Sequence, residues 1–110
     1  MVIEWQKPLR AHARHILEEA GYHSFNDPNT GKESFVLRLG RAFYPRYHLY
    51  IKLLSGGGVE CDLHIDQKQA SYEGQRAHSG EYDGPLVEEE TQRLMRWLQF
   101  YSKVQNGPSS

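Results

Sequence analysis

Apolar and polar residues alternate strictly along VECDLHIDQK, Val59 to Lys68. A period of two predicts a half-buried strand, with Val59, Cys61, Leu63 and Ile65 inward and Glu60, Asp62, His64 and Asp66 on the other face. YHLYIKLL repeats the pattern. Tyr47, Leu49, Ile51 and Leu53 point inward, and Arg46, His48, Tyr50 and Lys52 point away. FVLRLGR predicts a strand through Phe35, Leu37 and Leu39. AFYPR then reads as a connection or an irregular strand start, because Pro45 cannot donate to a ladder.

Elsewhere the period lengthens. In KPLRAHARHILEEAGY, residues Leu9, Ala13, Ile16, Leu17 and Ala20 fall on one helical stripe, with Pro8 in the first turn and Gly21 at the stop. GPLVEEETQRLMRWLQFYSKV predicts a second helix. Asp83 is its expected N-cap, Glu88 to Glu90 suit the positive end of its dipole, and Glu89 and Arg93 form an i,i+4 pair. Its apolar face is Leu94, Trp97, Leu98, Tyr101 and Val104. HSFNDPNTGKES reads as a loop, since Asp27-Pro28 and Thr30-Gly31 are turn chemistry. Residues 67–83 show no period and are long for a connection, which suits a binding segment. A short strand at 70–73 would add a fourth to the sheet. The expected fold is α+β: helix, three- or four-stranded antiparallel sheet, helix, with both helices on one sheet face. Residues 1–104 form one domain and 105–110 a flexible tail.

Register decides what the polar face can do, because both apolar sets must stay on one side. A four-residue SGGG loop mixes the faces. A five-residue loop, Leu54 to Gly58, pairs Leu53 with Val59 and Ile51 with Cys61 inside. Outside it pairs Lys52 with Glu60, Tyr50 with Asp62, His48 with His64 and Arg46 with Asp66. A three-residue GGG loop also separates the faces but sets Arg46 against Lys68, so the five-residue loop is expected. Most of this face then reads as cross-strand charge pairing.

Composition narrows the partners. Net charge is −1, so no general basic field exists for nucleic acid or anionic membrane. Residues 1–55 hold eight Lys/Arg and five Asp/Glu, and residues 56–110 hold five and nine, which leaves room for a local basic patch. Cys61 is the single cysteine, so no internal disulfide forms. With no apolar run of signal-peptide or membrane-spanning length, a cytoplasmic location is expected.

Three functions follow from these positions. The first is a small binding or interaction module for a protein or small polar ligand. It uses the polar sheet face and the 70–83 loop through Arg46, His48, Tyr50, His64, Tyr72, His78 and Tyr82. The second is a metal-binding protein or metal-dependent enzyme holding a zinc-like divalent ion. Its ligands are His48, His64 and His78, with Asp62 or Asp66 as oxygen ligand or general base. The third is a nucleic-acid binder using Arg38, Arg46, His48, Tyr50 and Lys52.

Other constellations carry less. His12, His15 and Glu19 share one side of the first helix at spacings that can hold a metal but more often form a solvated face. Asp66-Gln67-Lys68 resembles half of a nuclease magnesium site, yet YHLYIKLL supplies no second acid. The helix–sheet–helix order resembles double-stranded-RNA-binding domains, whose second helix begins with basic residues. Here that end reads GPLVEEE, so their function is not implied. Cys61 lies on the inward side, as a buried and inert thiol.

Overall fold

The Leu54–Gly58 turn organises the centre of the molecule. Leu54 N–H donates to Gly58 O and Gly57 N–H to Leu54 O, both at 3.0 Å. Gly57 takes φ = +94°, a conformation that favours glycine. The flanking strands adopt the five-residue register throughout, from Leu53 against Val59 to Arg46 against Asp66.

The computed structural model describes residues 1–28, 30–67 and 84–103. In chain order the elements are β1 (Val2–Trp5), α1 (Ala13–Glu19), β2 (His23–Asn26), β3 (Glu33–Arg38), β4 (Arg46–Leu53), β5 (Val59–Asp66) and α2 (Pro85–Tyr101). The strands form one five-stranded antiparallel sheet ordered β1-β5-β4-β3-β2. This corrects the expected order of helix, three or four strands, helix: one strand precedes α1, and another lies between α1 and β3. The extra pair are the sheet's edges, and each is four residues long. VIEW is too short to show a period. HSFN reads as loop because of the Asp27–Gly31 turn, but that turn is a hairpin. Asp27 N–H donates to Lys32 O and Gly31 N–H to Asp27 O, which sets Phe25 opposite Ser34. The strand expected at 70–73 lies outside the described residues.

The first helix is also shorter than expected. Its stripe begins at Ala13, not Leu9, and His12 caps it by accepting Arg14 N–H on Nδ1 at 3.0 Å. Residues 8–10 are drawn away by other backbones. Leu9 N–H donates to Gly57 O, Arg10 N–H to Tyr101 O, and Pro8 O accepts from Lys103 N–H. Trp5 Nε1–H adds a bond to Ser102 Oγ at 2.9 Å.

One apolar cluster joins Ile3, Phe35, Tyr47, Leu49, Val59, Cys61, Leu63 and Ile65 of the sheet to Ala13, Ile16 and Leu17 of α1 and Val87, Leu94 and Leu98 of α2. Helix α2 starts from Gly84 without a side-chain cap, and Asp83 lies outside the described residues, as does Val104. The expected Glu89–Arg93 pair is replaced by Glu90–Arg93. Glu90 sits three residues beyond Val87 on the buried stripe, where its carboxylate accepts two bonds from Arg93 at 2.8 Å and one from Tyr22 Oη at 2.7 Å. Burial pushes the Tyr22 phenol far above its ordinary value, helped by the Glu90 charge. No helix among the described residues is long and apolar enough to cross a membrane.

Cys61 is buried, and burial with the nearby Glu60 charge pushes its thiol up to about 12. Its folded value therefore exceeds its ordinary 9.0. The unfolded chain releases this proton first, so stability is unaffected below about pH 9 and falls as pH rises above it. The native protein is expected to resist a disulfide thiol reagent at about pH 8, reacting only after urea unfolding. Rapid labelling of the folded protein would contradict this burial.

Candidate functional site

Alternation puts Arg46 and His48 on the sheet face opposite Leu49, and register sets His48 beside His64 and Arg46 beside Asp66. On the other side of β4, β3 contributes Ser34 to the same face. This end of the polar face is interior. Ser34 is 0% exposed, His48 4%, His64 8% and Arg46 9%.

Asp66 is the hub. Its Oδ2 accepts from Arg46 Nε at 3.2 Å and lies 2.8 Å from His48 Nδ1, and its Oδ1 lies 2.8 Å from His64 Nε2. Burial alone would raise the Asp66 pKa. The bonds to His48 and His64, with their charges, outweigh it and hold the carboxyl well below the usual carboxylate range. Aromatic rings line the cluster. The Arg46 guanidinium carbon lies 4.7 Å from the Phe25 ring and 4.8 Å from the Tyr44 ring. The Tyr50 ring lies 4.8 Å from that of His48, and its hydroxyl donates to Asp27 at 2.9 Å.

Ser34 fixes the orientation of His48. Its Oγ lies 2.8 Å from His48 Nε2 and 3.0 Å from Phe25 O. A carbonyl can only accept, so both contacts are made when Ser34 donates to Phe25 and His48 Nε2–H donates to Ser34. This network puts a proton on Nε2 and turns Nδ1 toward Asp66 and His64. The Nδ1–Asp66 contact is a hydrogen bond when Nδ1 carries a proton as well, and that is the proton a metal ion would displace.

The Ser34–His48–Asp66 connectivity has the spacing of a hydrolytic triad, but the proton runs the wrong way. Ser34 is fully buried and directs its hydrogen to Phe25, so His48 is placed as donor rather than as base. The same atoms could also hold a metal ion. His48, His64 and Asp66 each offer a donor atom, all within 4.8 Å of one another, the one such group among the described residues. A ligating imidazole commonly donates its other N–H to a neighbouring oxygen, the part Ser34 plays for His48.

Of the expected ligands, the structure brings His48, His64 and Asp66 together and leaves Asp62 apart. The Asp62 side chain is 51% exposed and lies 4.0 Å from the Met1 amino group. Tyr72, His78 and Tyr82 lie outside the described residues. His12, which caps α1, and His15, which packs edge-on against Tyr101, belong to no such group. Ser34 and Phe25 escape sequence reasoning because their place depends on the β2–β3 and β3–β4 registers, which no apolar alternation in HSFNDPNTGKES specifies.

No family model matches the chain, and neither the curated proteins nor the solved structures contain a match.

Proposed function

We propose that this protein binds a zinc-like divalent metal ion through His48 Nδ1, His64 Nε2 and the Asp66 carboxylate. The observation that carries this reading is the convergence of three donor atoms, from buried His48 and His64 and half-buried Asp66, with Ser34 accepting the His48 Nε2–H on the side that faces away from them. Tetrahedral ligands about 2 Å from zinc stand about 3.3 Å apart, so small side-chain rotations bring these atoms to one ion. Two imidazoles and one carboxylate suit zinc and its neighbours better than calcium or magnesium, which prefer all-oxygen sites. Arg46 Nε donates to Asp66 Oδ2 and so orients the carboxylate. The fourth position is open to water, to a small polar ligand or, on sequence alone, to His78.

Burial favours this reading over a partner surface built from Arg46, His48 and His64, since such a surface needs exposed groups. The test is metal content by mass spectrometry of protein purified without a histidine tag, followed by zinc titration of the wild type and His64→Ala. Near-stoichiometric zinc is expected, lost in the variant. Zinc at about one hundred times its Kd should add about 2.7 kcal/mol to wild-type stability. Absence of bound metal, with superimposable titrations of the two proteins, would end the metal reading.

A further inference from the structure

The β3–β4 connection with its two flanking residues reads RLGRAFYPR, from Arg38 to Arg46, with three arginines, two aromatic rings and no acid in a chain of net charge −1. Leu39 N–H donates to Pro45 O at 3.1 Å, which closes the loop at its base. Arg46 is buried at that base under the Tyr44 ring. The rest is presented outward. Phe43 is 64% exposed and Tyr44 38%, and Arg38 and Arg41 are exposed as well. The Arg38 guanidinium carbon lies 4.2 Å from the centroid of the Phe43 ring. Neither Arg38 nor Arg41 has a carboxylate partner among the described residues.

Exposed cations with no carboxylate partner among the described residues select an anionic partner. Rings displayed among them select one that also carries flat, stackable groups. Single-stranded nucleic acid has both, since phosphates pair with guanidinium groups and bases stack on aromatic faces. We infer that the 38–46 loop is a docking platform for single-stranded nucleic acid. Phe43 and Tyr44 stack against bases, and Arg38 and Arg41 hold the flanking phosphates. This surface differs from the one the sequence suggests, because Arg46 and His48 are buried and leave Arg38 as the exposed member of that set beside the loop. It adjoins the metal site through Arg46, which lies against the Tyr44 ring and donates to Asp66, but its own contacts need no ion.

The experiment is fluorescence anisotropy of a labelled oligothymidylate of about twelve nucleotides. It is run with chelator present, so its outcome does not depend on the metal reading. Saturable binding is expected at about 50 mM salt, with log affinity falling against log salt at a slope of about −1.4 for two phosphates. Phe43→Ala should weaken binding roughly fivefold to 150-fold, the loss of one stacked base. Arg41→Gln should cut the salt slope by about 0.7. Both side chains are exposed, so neither change threatens the fold, and circular dichroism checks this. Three results would overturn the inference. One is no binding by the wild type at about 50 mM salt. Another is binding that both variants leave unchanged. The third is capture of anionic lipid vesicles or polyglutamate without capture of the oligonucleotide.

Discussion

Asp66→Ala is expected to lower the unfolding free energy by about 3–5 kcal/mol in chelator-treated protein. The cost follows from what is left behind. His48 Nδ1, His64 Nε2 and Arg46 Nε all converge on the Asp66 carboxylate. Removing it leaves these groups facing one another, with the side chains of Arg46 and His64 each only 10% exposed and that of His48 5%. Water cannot readily replace the lost acceptor, and the buried Arg46 charge loses its counter-ion. Asp66→Asn keeps one acceptor oxygen and should fall between the two. Urea unfolding measures the loss, and repeating it with zinc gives a second readout. Zinc should stabilise the wild type and leave Asp66→Ala unmoved. A cost below about 1 kcal/mol would mean that the cluster relaxes freely and that Asp66 is not its hub.

The second large effect is expected at Gly58. A Cβ built there would stand 2.0 Å from Trp5 O and 3.0 Å from Gln6 C and O. Those atoms are backbone, so no side chain can turn aside. Trp5 is paired with Val59 and anchored to Ser102 through its indole N–H. Gly58→Ala must therefore push β1 off the start of β5 or distort the turn, at a cost of about 3 kcal/mol or more. Gly56→Ala is the internal control. A Cβ there meets nothing within 4 Å, so its effect should stay within about 0.5 kcal/mol. Urea unfolding compares the two, and equal midpoints would refute the close approach.

What could be read in the chain was what local pattern dictates. VECDLHID and YHLYIKLL alternate cleanly, and the need to keep both apolar sets on one side leaves few registers. The His48–His64 and Arg46–Asp66 pairs follow once the register that sets Arg46 against Lys68 is set aside. The features that escaped depend on distant partners. VIEW becomes a strand because β5 offers Cys61 and Val59 to Ile3 and Trp5. Leu9 fits a helical stripe, yet its N–H is taken by Gly57, so α1 begins later. Glu90 rather than Glu89 meets Arg93 because the burial of α2 turns Glu90 toward Tyr22. Ser34 reaches His48 only once β3 is placed, and that register is not written in the irregular residues before it.

The clasp between residues 5–10 and the end of α2 bears on the order of assembly. The β2–β3, β3–β4 and β4–β5 hairpins close short loops, whereas Ile3 must find Cys61, and Trp5 must find Ser102 across 97 positions. Closure entropy favours the hairpins first. During synthesis the outer edge of β5 is then open after β4 and β5 have paired and until β1 docks. That edge belongs to the strand carrying Val59, Cys61, Leu63 and Ile65, an apolar template for pairing with another chain. β1 thus acts as a late seal, and its loss would be felt as insolubility before it was felt as lost binding.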